Sequence, residues 1–219
     1  MDDAEARRGL VEAGREMVRL GLTRGTSGNL SVRYGDGLLI TPSGIGYDRL
    51  RPEDMVPTGF DGRHAGVLRP STEWRFHADI LRTRPEFGAV VHTHSTHATA
   101  MAVLGRPIPA IHYDIAAAGG PTIRCAPYAT FGTAELAAHV LDAMAGRNAC
   151  LLAHHGVVAA AATLAGALAL AALVEELARL YLLCLPAGDP PVLPDEEIAR
   201  VVALYADYGR QPARDAEPA

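Results

Sequence analysis

Two apolar segments of this chain end in histidines, and together they constrain its fold more than any other feature. The apolar run at residues 89–91 continues into His92-Thr93-His94, and a second run at 150–153 continues into a His-His-Gly sequence. Short apolar runs of this kind predict buried strands. Residues two apart in a strand point to the same side of the sheet. His92 and His94 should therefore direct two imidazoles toward one point, near which the second strand can bring a third.

Three histidines around one point, with the fourth position left open, are typical of a catalytic zinc rather than a structural one. The chain has nine histidines, and any single one is more often a core or surface residue than a ligand. The pair at 92 and 94 differs because both rings share one direction, so the sequence predicts a metal site there. At the second strand end, His154 and His155 are both possible third ligands.

The remaining patterns predict one α/β domain over residues 1–210, with a mainly antiparallel central sheet flanked by helices, and a flexible tail at 211–219. Apolar spacing predicts helices at 3–22, 71–82, 96–104, 133–144 and 196–208. Ser71 or Thr72 is the expected N-cap of the second helix. Predicted strands lie at 30–34 and 38–41, at 55–60 and 64–68 (each pair a hairpin), and at 89–93, 122–126 and 149–154. Val157-Val158 is interpreted as a continuation of the last strand.

An uncharged stretch at residues 156–174 is long enough to suggest a membrane span. Its composition is mostly Ala and Gly, however, and Glu175 and Glu176 follow it directly. Leucines at 173, 177 and 180 have the spacing of one apolar helix face. We therefore predict a strand followed by a helix packed inside the molecule or at a subunit contact, and no membrane partner.

Bulk properties exclude several functional classes. A net charge of −5 and a pI of about 6.0 argue against nucleic acid as a partner, because phosphate-backbone binding needs a basic surface. The acidic start lacks the apolar core of a signal peptide, and three widely spaced cysteines fit reduced thiols, so we expect a cytoplasmic protein. The chain contains no lysine, which excludes Schiff-base chemistry on a side-chain amine.

Glu73, at the predicted start of a helix, has two interpretations. A carboxylate in the first turn favours the helix dipole, and a carboxylate beside a metal can act as a base. Ser71 and Thr72, with the free N–H groups of the same helix end, could form an anion pocket that favours the second interpretation. Asn29, Ser43 and Gly44 offer an amide, a hydroxyl and an unhindered backbone, although each is also an ordinary turn residue.

Five short motifs in this order resemble the class II, metal-dependent aldolase/adducin-head family, and are most similar to its L-fuculose-phosphate aldolase-like members. The resemblance extends from residue 5 to about 185. Its motifs are Gly25-Thr26-Ser27-Gly28-Asn29, Thr41-Pro42-Ser43-Gly44, Ser71-Thr72-Glu73, His92-Thr93-His94 and His154-His155-Gly156.

The resemblance implies a role for each site residue. His92, His94 and His155 would bind one zinc per subunit, since the family ligand directly precedes the glycine. Glu73 would move the proton at the carbon that becomes the nucleophile, and Tyr113 would reach over from a neighbouring subunit of a homotetramer as proton donor. Phe131 would pack on the aldehyde part of the substrate. The substrate phosphate would be held by Asn29, Ser43, Gly44, Ser71 and Thr72.

The activity implied is the cleavage of a ketose 1-phosphate to dihydroxyacetone phosphate and a short aldehyde. Glu at position 73 favours the aldolases over the family's epimerases, which have Asp there. The Trp74-Arg75-Phe76-His77 continuation resembles aldolases acting on L-fuculose 1-phosphate or on 5-deoxy- and 5-methylthio-pentulose 1-phosphates. Three alternatives stay open: a sugar-phosphate 4-epimerase or thiosugar-phosphate dehydratase, an adducin-head-like interaction domain, and a zinc hydrolase in which Glu73 activates water.

Overall fold

The computed structural model describes residues 2–205, in which eight strands form one sheet. In the sheet they are ordered β3-β2-β1-β4-β8-β7-β6-β5, and every pairing is antiparallel except that of β6 with β7. This confirms the predicted α/β fold with a mainly antiparallel sheet. The strands are β1 (Asn29–Tyr34), β2 (Gly37–Ile40), β3 (Val56–Gly59), β4 (Ala89–Thr93), β5 (Ile108–Pro109), β6 (Thr122–Ala126), β7 (Ala149–Leu152) and β8 (Gly156–Ala161).

Helices cover both faces of the sheet and bury a separate apolar core on each. Helices α1, α3 and α5 pack on one face, and α2 and α4 pack on the other. The helices are α1 (Asp3–Arg19), α2 (Trp74–Thr83), α3 (Thr96–Val103), α4 (Ala134–Ala143), α5 (Leu164–Cys184) and α6 (Asp195–Tyr205).

Strand β4 lies in the middle of this sheet and is buried on both faces. Ala89 and Val91 belong to the core under α1 and α5, whereas Val90 belongs to the core under α2 and α4. A strand buried on both faces has a continuous apolar sequence, which is why residues 89–91 stand out. By alternation, His92 faces the same side as Val90, toward α2.

Two predictions about the strands are wrong. The second strand of the hairpin at 55–60 and 64–68 does not form: Thr58 and His64 make a single isolated bridge, and Val67 is 100% exposed, so this segment has no core to pack against. The strand at 149–154 ends at Leu152 instead of continuing through Val157. The chain turns through the left-handed backbone of His154 (φ 56°), and β8 returns antiparallel to β7.

Helix boundaries differ from prediction mainly at the end of α1 and at the start of α2. Helix α2 begins at Trp74 with Glu73 as its N-cap residue, because the Ser71 hydroxyl accepts the Glu73 N–H in a turn that precedes the helix. The uncharged stretch is a strand followed by the long helix α5, as predicted. No helix within residues 2–205 combines the length and the apolar composition that a membrane crossing requires. The predicted tail at 211–219, and the end of the helix predicted to reach 208, lie outside the described residues.

Candidate metal centre

Three imidazoles meet at the end of β4, two from β4 and its first following residue and one from the turn between β7 and β8. The ring centroids of His92, His94 and His155 are 4.8, 4.8 and 4.9 Å apart, a nearly equilateral triangle. The Nε2 atoms of His92 and His94 are 3.0 Å apart. The structure thus brings together the histidines expected to bind metal, and His155 rather than His154 joins them.

Glu73 completes this group as a fourth corner. Its Oε2 lies 3.1 Å from His92 Nε2, and its Oε1 lies 3.2 Å from His155 Nε2. One ligand atom from each of the four residues lies within 4.8 Å of all the others. Ligands 2.0–2.1 Å from a tetrahedral zinc are roughly 3.3 Å from one another, so these separations approach the edges of such a tetrahedron. The Glu73 carboxylate therefore lies at the fourth ligand position, which the three predicted histidines leave open.

A buried oxygen of Glu73 also fits a cation at this site. Glu73 is only 5% exposed, and its Oε1 is buried without a hydrogen bond from any of the described residues. A buried carboxylate oxygen without a donor is costly. Imidazole nitrogens and carboxylate oxygens are ligands that zinc accepts. The donor set therefore fits a metal ion of this kind.

The protonation of these groups suits metal binding. Burial, helped by the neighbouring His92, lowers the pKa of His94 to about 3 and that of His155 to about 4. Both rings are therefore neutral at pH 7, the form that binds a metal. Burial alone would raise the Glu73 pKa, but His92 and His155 hold it well below its usual range. Burial alone would lower the His92 pKa, but the adjacent Glu73 carboxylate raises it. A cation could take the place of the His92 proton.

The backbone around β4 holds the ligands in place. His92 Nδ1 lies 2.8 Å from the Val157 carbonyl oxygen, so an Nδ1–H can donate to it and leave Nε2 for a metal. A Cβ on Gly28 would lie 2.6 Å from the His92 carbonyl oxygen, and one on Gly156 would overlap the Thr93 carbonyl. Gly28 also has a φ of 73°, which glycine adopts readily. These close approaches explain glycines in two of the five motifs.

A cavity of about 540 Å³ opens beside the four-residue group. Of the residues expected to bind substrate, all six line it: Asn29, Ser43, Gly44, Ser71, Thr72 and Phe131. Glu73, His94 and His155 also line it, whereas His92 lies fully buried behind them. Phe131 is 63% exposed, so its ring has room to meet a ligand.

Tyr113 stands apart from this cavity. It begins a short 3-10 helix, Tyr113–Ala118, stacks on His112 and is 53% exposed. It does not belong to the residues of the described chain that line the cavity. The structure therefore places Tyr113 on the surface, apart from the other residues expected to act on the substrate.

Some residues at this site were not predicted. Tyr128 lines the cavity, and His77 lies fully buried behind Asn29 with its Nε2 2.5 Å from the Asn29 Oδ1. His154, one of the two possible third ligands, lines the cavity without joining the four-residue group. The signal for His77 was its position four residues after Glu73, which places both on one side of a helix start. Tyr128 is in a loop and has no comparable pattern.

Comparison with known proteins agrees with this geometry. Residues 8–182 match the family described as class II aldolase and adducin N-terminal domain. The chain is 54% identical over 213 residues to a 5-methylthioribulose-1-phosphate/5-deoxyribulose-1-phosphate aldolase of Rhodospirillum rubrum, covering 97% of this chain and 96% of the relative. It is 52% identical over 210 residues to an L-fuculose phosphate aldolase of Escherichia coli, covering 95% and 98%.

Similarity in structure extends over the same length. A solved L-fuculose 1-phosphate aldolase superposes with a TM-score of 0.90 at 40% sequence identity, covering 92% of this chain and 96% of that one. A second solved structure, an L-fuculose-1-phosphate aldolase of Thermus thermophilus, gives a TM-score of 0.75 at 29% identity, covering 87% and 100%. The chain therefore belongs to the class II aldolase and adducin N-terminal domain family.

Proposed function

We propose that this protein is a zinc-dependent aldolase, a lyase that cleaves a ketose 1-phosphate into dihydroxyacetone phosphate and a short aldehyde. The observation that supports this best is the meeting of Glu73 with three histidines at one wall of a cavity lined by hydroxyl and amide groups. The substrate would be L-fuculose 1-phosphate or a 5-deoxy- or 5-methylthio-pentulose 1-phosphate. Relatives named for both groups are similarly close, at 54% and 52% identity, so identity alone does not choose between them.

Zinc is the proposed metal, one ion per subunit, held by His92, His94 and His155 with Glu73 at the fourth corner. Neutral imidazoles at these separations match its preferred ligands and geometry. When bound, zinc supplies a Lewis acid that polarises the ketone carbonyl of the substrate.

The phosphate of the substrate would bind in the same cavity. The proposed residues are Asn29, Ser43, Gly44, Ser71 and Thr72. The chain has no lysine, and no arginine lines the cavity within the described residues. Binding would therefore depend on hydroxyl, amide and backbone N–H donors. Helix α2 begins at Trp74, directly after this group, and the N-terminus of a helix favours an anion.

The protein's own acid–base groups would move two protons. Cleavage breaks the C3–C4 bond, and its electron pair moves toward the C2 carbonyl. The C4 hydroxyl loses its proton and becomes the aldehyde carbonyl, while C3 gains a proton to give dihydroxyacetone phosphate. We assign the C3 proton to Glu73, which is buried beside the histidines, and the C4 hydroxyl proton to Tyr113 of a neighbouring subunit. Phe131 would contact the aldehyde part.

The direct test is to assay the zinc-loaded protein against several ketose 1-phosphates. We expect dihydroxyacetone phosphate as a product, with turnover lost on chelation and restored by zinc. A product epimeric at C4, loss of water or release of inorganic phosphate would instead indicate an epimerase, a dehydratase or a hydrolase. No turnover of any ketose 1-phosphate by the metal-loaded protein would contradict the proposal.

We also propose a cytoplasmic homotetramer with its active sites between subunits. Tyr113 is exposed and lies outside the cavity lining of its own chain, as a residue serving a neighbour should. Closed symmetric rings commonly bury such surfaces. All three cysteines are free of disulfides, in keeping with a reducing compartment.

Replacing Tyr113 with Phe should preserve the zinc and the tetramer but lower aldol turnover by about 10²–10⁴-fold, the range for general acid–base catalysis, because only a hydroxyl is removed. Steady-state kinetics and light scattering measure the two effects. Mixing this variant with Glu73→Gln protein, after subunit exchange, should restore activity in sites that combine the two wild-type groups. If mixed tetramers form and stay inactive, Tyr113 does not act across a boundary.

A further inference from the structure

A row of four buried polar side chains runs from the interior of the protein to Glu73. Ser31 Oγ lies 2.7 Å from His77 Nδ1, His77 Nε2 lies 2.5 Å from Asn29 Oδ1, and Asn29 Nδ2 lies 3.0 Å from Glu73 Oε2. All four residues are at most 5% exposed. Such a row inside an apolar core is expensive unless every group is satisfied, so the direction of each hydrogen bond in it matters.

The row is built by matching spacings on two elements. Asn29 and Ser31 are two apart on β1, about 6.6 Å along the strand and on one face. Glu73 and His77 are four apart at the start of α2, about 6 Å along the helix and on one side. Because α2 packs against this face of the sheet, the two pairs interlock.

The orientation of the Asn29 amide sets the direction of the other hydrogen bonds in the row. Its Nδ2, which can only donate, faces Glu73 Oε2, and its carbonyl oxygen, which can only accept, faces His77. His77 Nε2 must therefore carry a hydrogen. Since the ring is fully buried between a hydroxyl and an amide, it is neutral, and its Nδ1 accepts from the Ser31 hydroxyl.

We propose that His77 is a positioning residue, held by Ser31 in its Nε2–H form, that locks the Asn29 amide so that one N–H orients the Glu73 carboxylate. This inference rests on the proposed function only where it concerns turnover. A flipped Asn29 would place its carbonyl oxygen against the carboxylate and repel it. The locked amide also keeps its second N–H free for an anion in the cavity that Asn29 lines.

The tautomer of His77 tests this inference without any assay of activity. Long-range ¹H–¹⁵N NMR spectra distinguish a protonated ring nitrogen from an unprotonated one. In the full-length protein at pH 7, before and after zinc addition, His77 should show a protonated Nε2 and an unprotonated Nδ1. A protonated Nδ1, alone or together with Nε2, would overturn the proposal.

Two substitutions of His77 distinguish its hydrogen bond to Asn29 from the packing of its ring. Counting bonds from Cβ, the amide of Gln reaches the place of Nε2, whereas the amide of Asn reaches only the place of Nδ1. His77→Gln can therefore still donate to Asn29, and His77→Asn cannot. Both remove the ring from the same buried site, so both should lower the melting temperature similarly.

We expect kcat/KM to fall by roughly 10–100-fold in His77→Asn, the cost of losing a hydrogen bond that serves a charged group. His77→Gln should return to within about threefold of wild type. Equal kcat/KM for the two variants, or a wild-type value in His77→Asn, would overturn the positioning role. If the wild-type protein itself cleaves no ketose 1-phosphate, the proposed function fails, and the tautomer of His77 still decides this inference.

Discussion

Replacing His92 or His94 with Ala should leave a folded protein that no longer retains its metal. Mutation of a residue that only hydrogen-bonds to a metal ligand typically lowers metal affinity about 10–100-fold. The loss of a ligand itself should therefore lower metal affinity by at least about 100-fold. Each ring is one of three around a single point, and no other histidine of the described chain belongs to this group. Metal content per chain after dialysis, with circular dichroism as the check on folding, measures the effect.

His154 provides the matched control, because it directly precedes His155 but lies outside the four-residue group. Its φ of 56° strains most side chains but suits glycine, so His154→Gly tests the ring without adding backbone strain. This variant should keep one metal per chain, and His155→Ala should not. Full metal retention in all three ligand variants would refute the assignment.

Glu73→Gln should lower turnover by about 10²–10⁴-fold, the usual contribution of a general base. The amide keeps the size of the side chain and can still offer an oxygen at the fourth corner, but it cannot carry the proton. Metal should therefore stay bound through the three histidines. Steady-state cleavage rates, together with solvent exchange of the C3 proton of dihydroxyacetone phosphate, measure the loss.

Glu53→Gln is the control for this change, since its side chain is 64% exposed and is not part of the cavity lining. It should have wild-type turnover and wild-type proton exchange. Near-normal C3 exchange in Glu73→Gln would exclude Glu73 as the base and leave it a structural carboxylate.

The sequence predicts best what depends on residues close together in the chain. The apolar run before His92 and the spacing of two between His92 and His94 are local, and both strand and side-chain direction agree with prediction. The hairpin of β1 and β2 also forms, because the two-residue turn Gly35-Asp36 joins two strand-forming segments.

What the sequence does not predict depends on how distant elements pack. The return of β8 is hidden because apolar residues lie on both sides of His154-His155-Gly156, and only the backbone of His154 reveals the turn. Glu73 occupies the fourth corner, and His77 supports Asn29, only after α2 docks on the sheet. The predicted strand at 64–68 fails for the same reason, since no neighbouring element covers Val67.

Because β4 lies in the middle of the sheet, metal binding at its end depends on the register in which β4 pairs with its neighbours. In the sheet, His92 lies opposite Asn29 on one side and Val158 on the other. A slip of one residue in β4 would turn His92, and His94 directly after the strand, toward α5 and abolish the site. Metal at 100 times its dissociation constant adds about 2.7 kcal/mol to the correctly paired sheet and nothing to a slipped one. A bound ion would thus favour the correct strand register, because it stabilises only chains whose central strand is paired correctly.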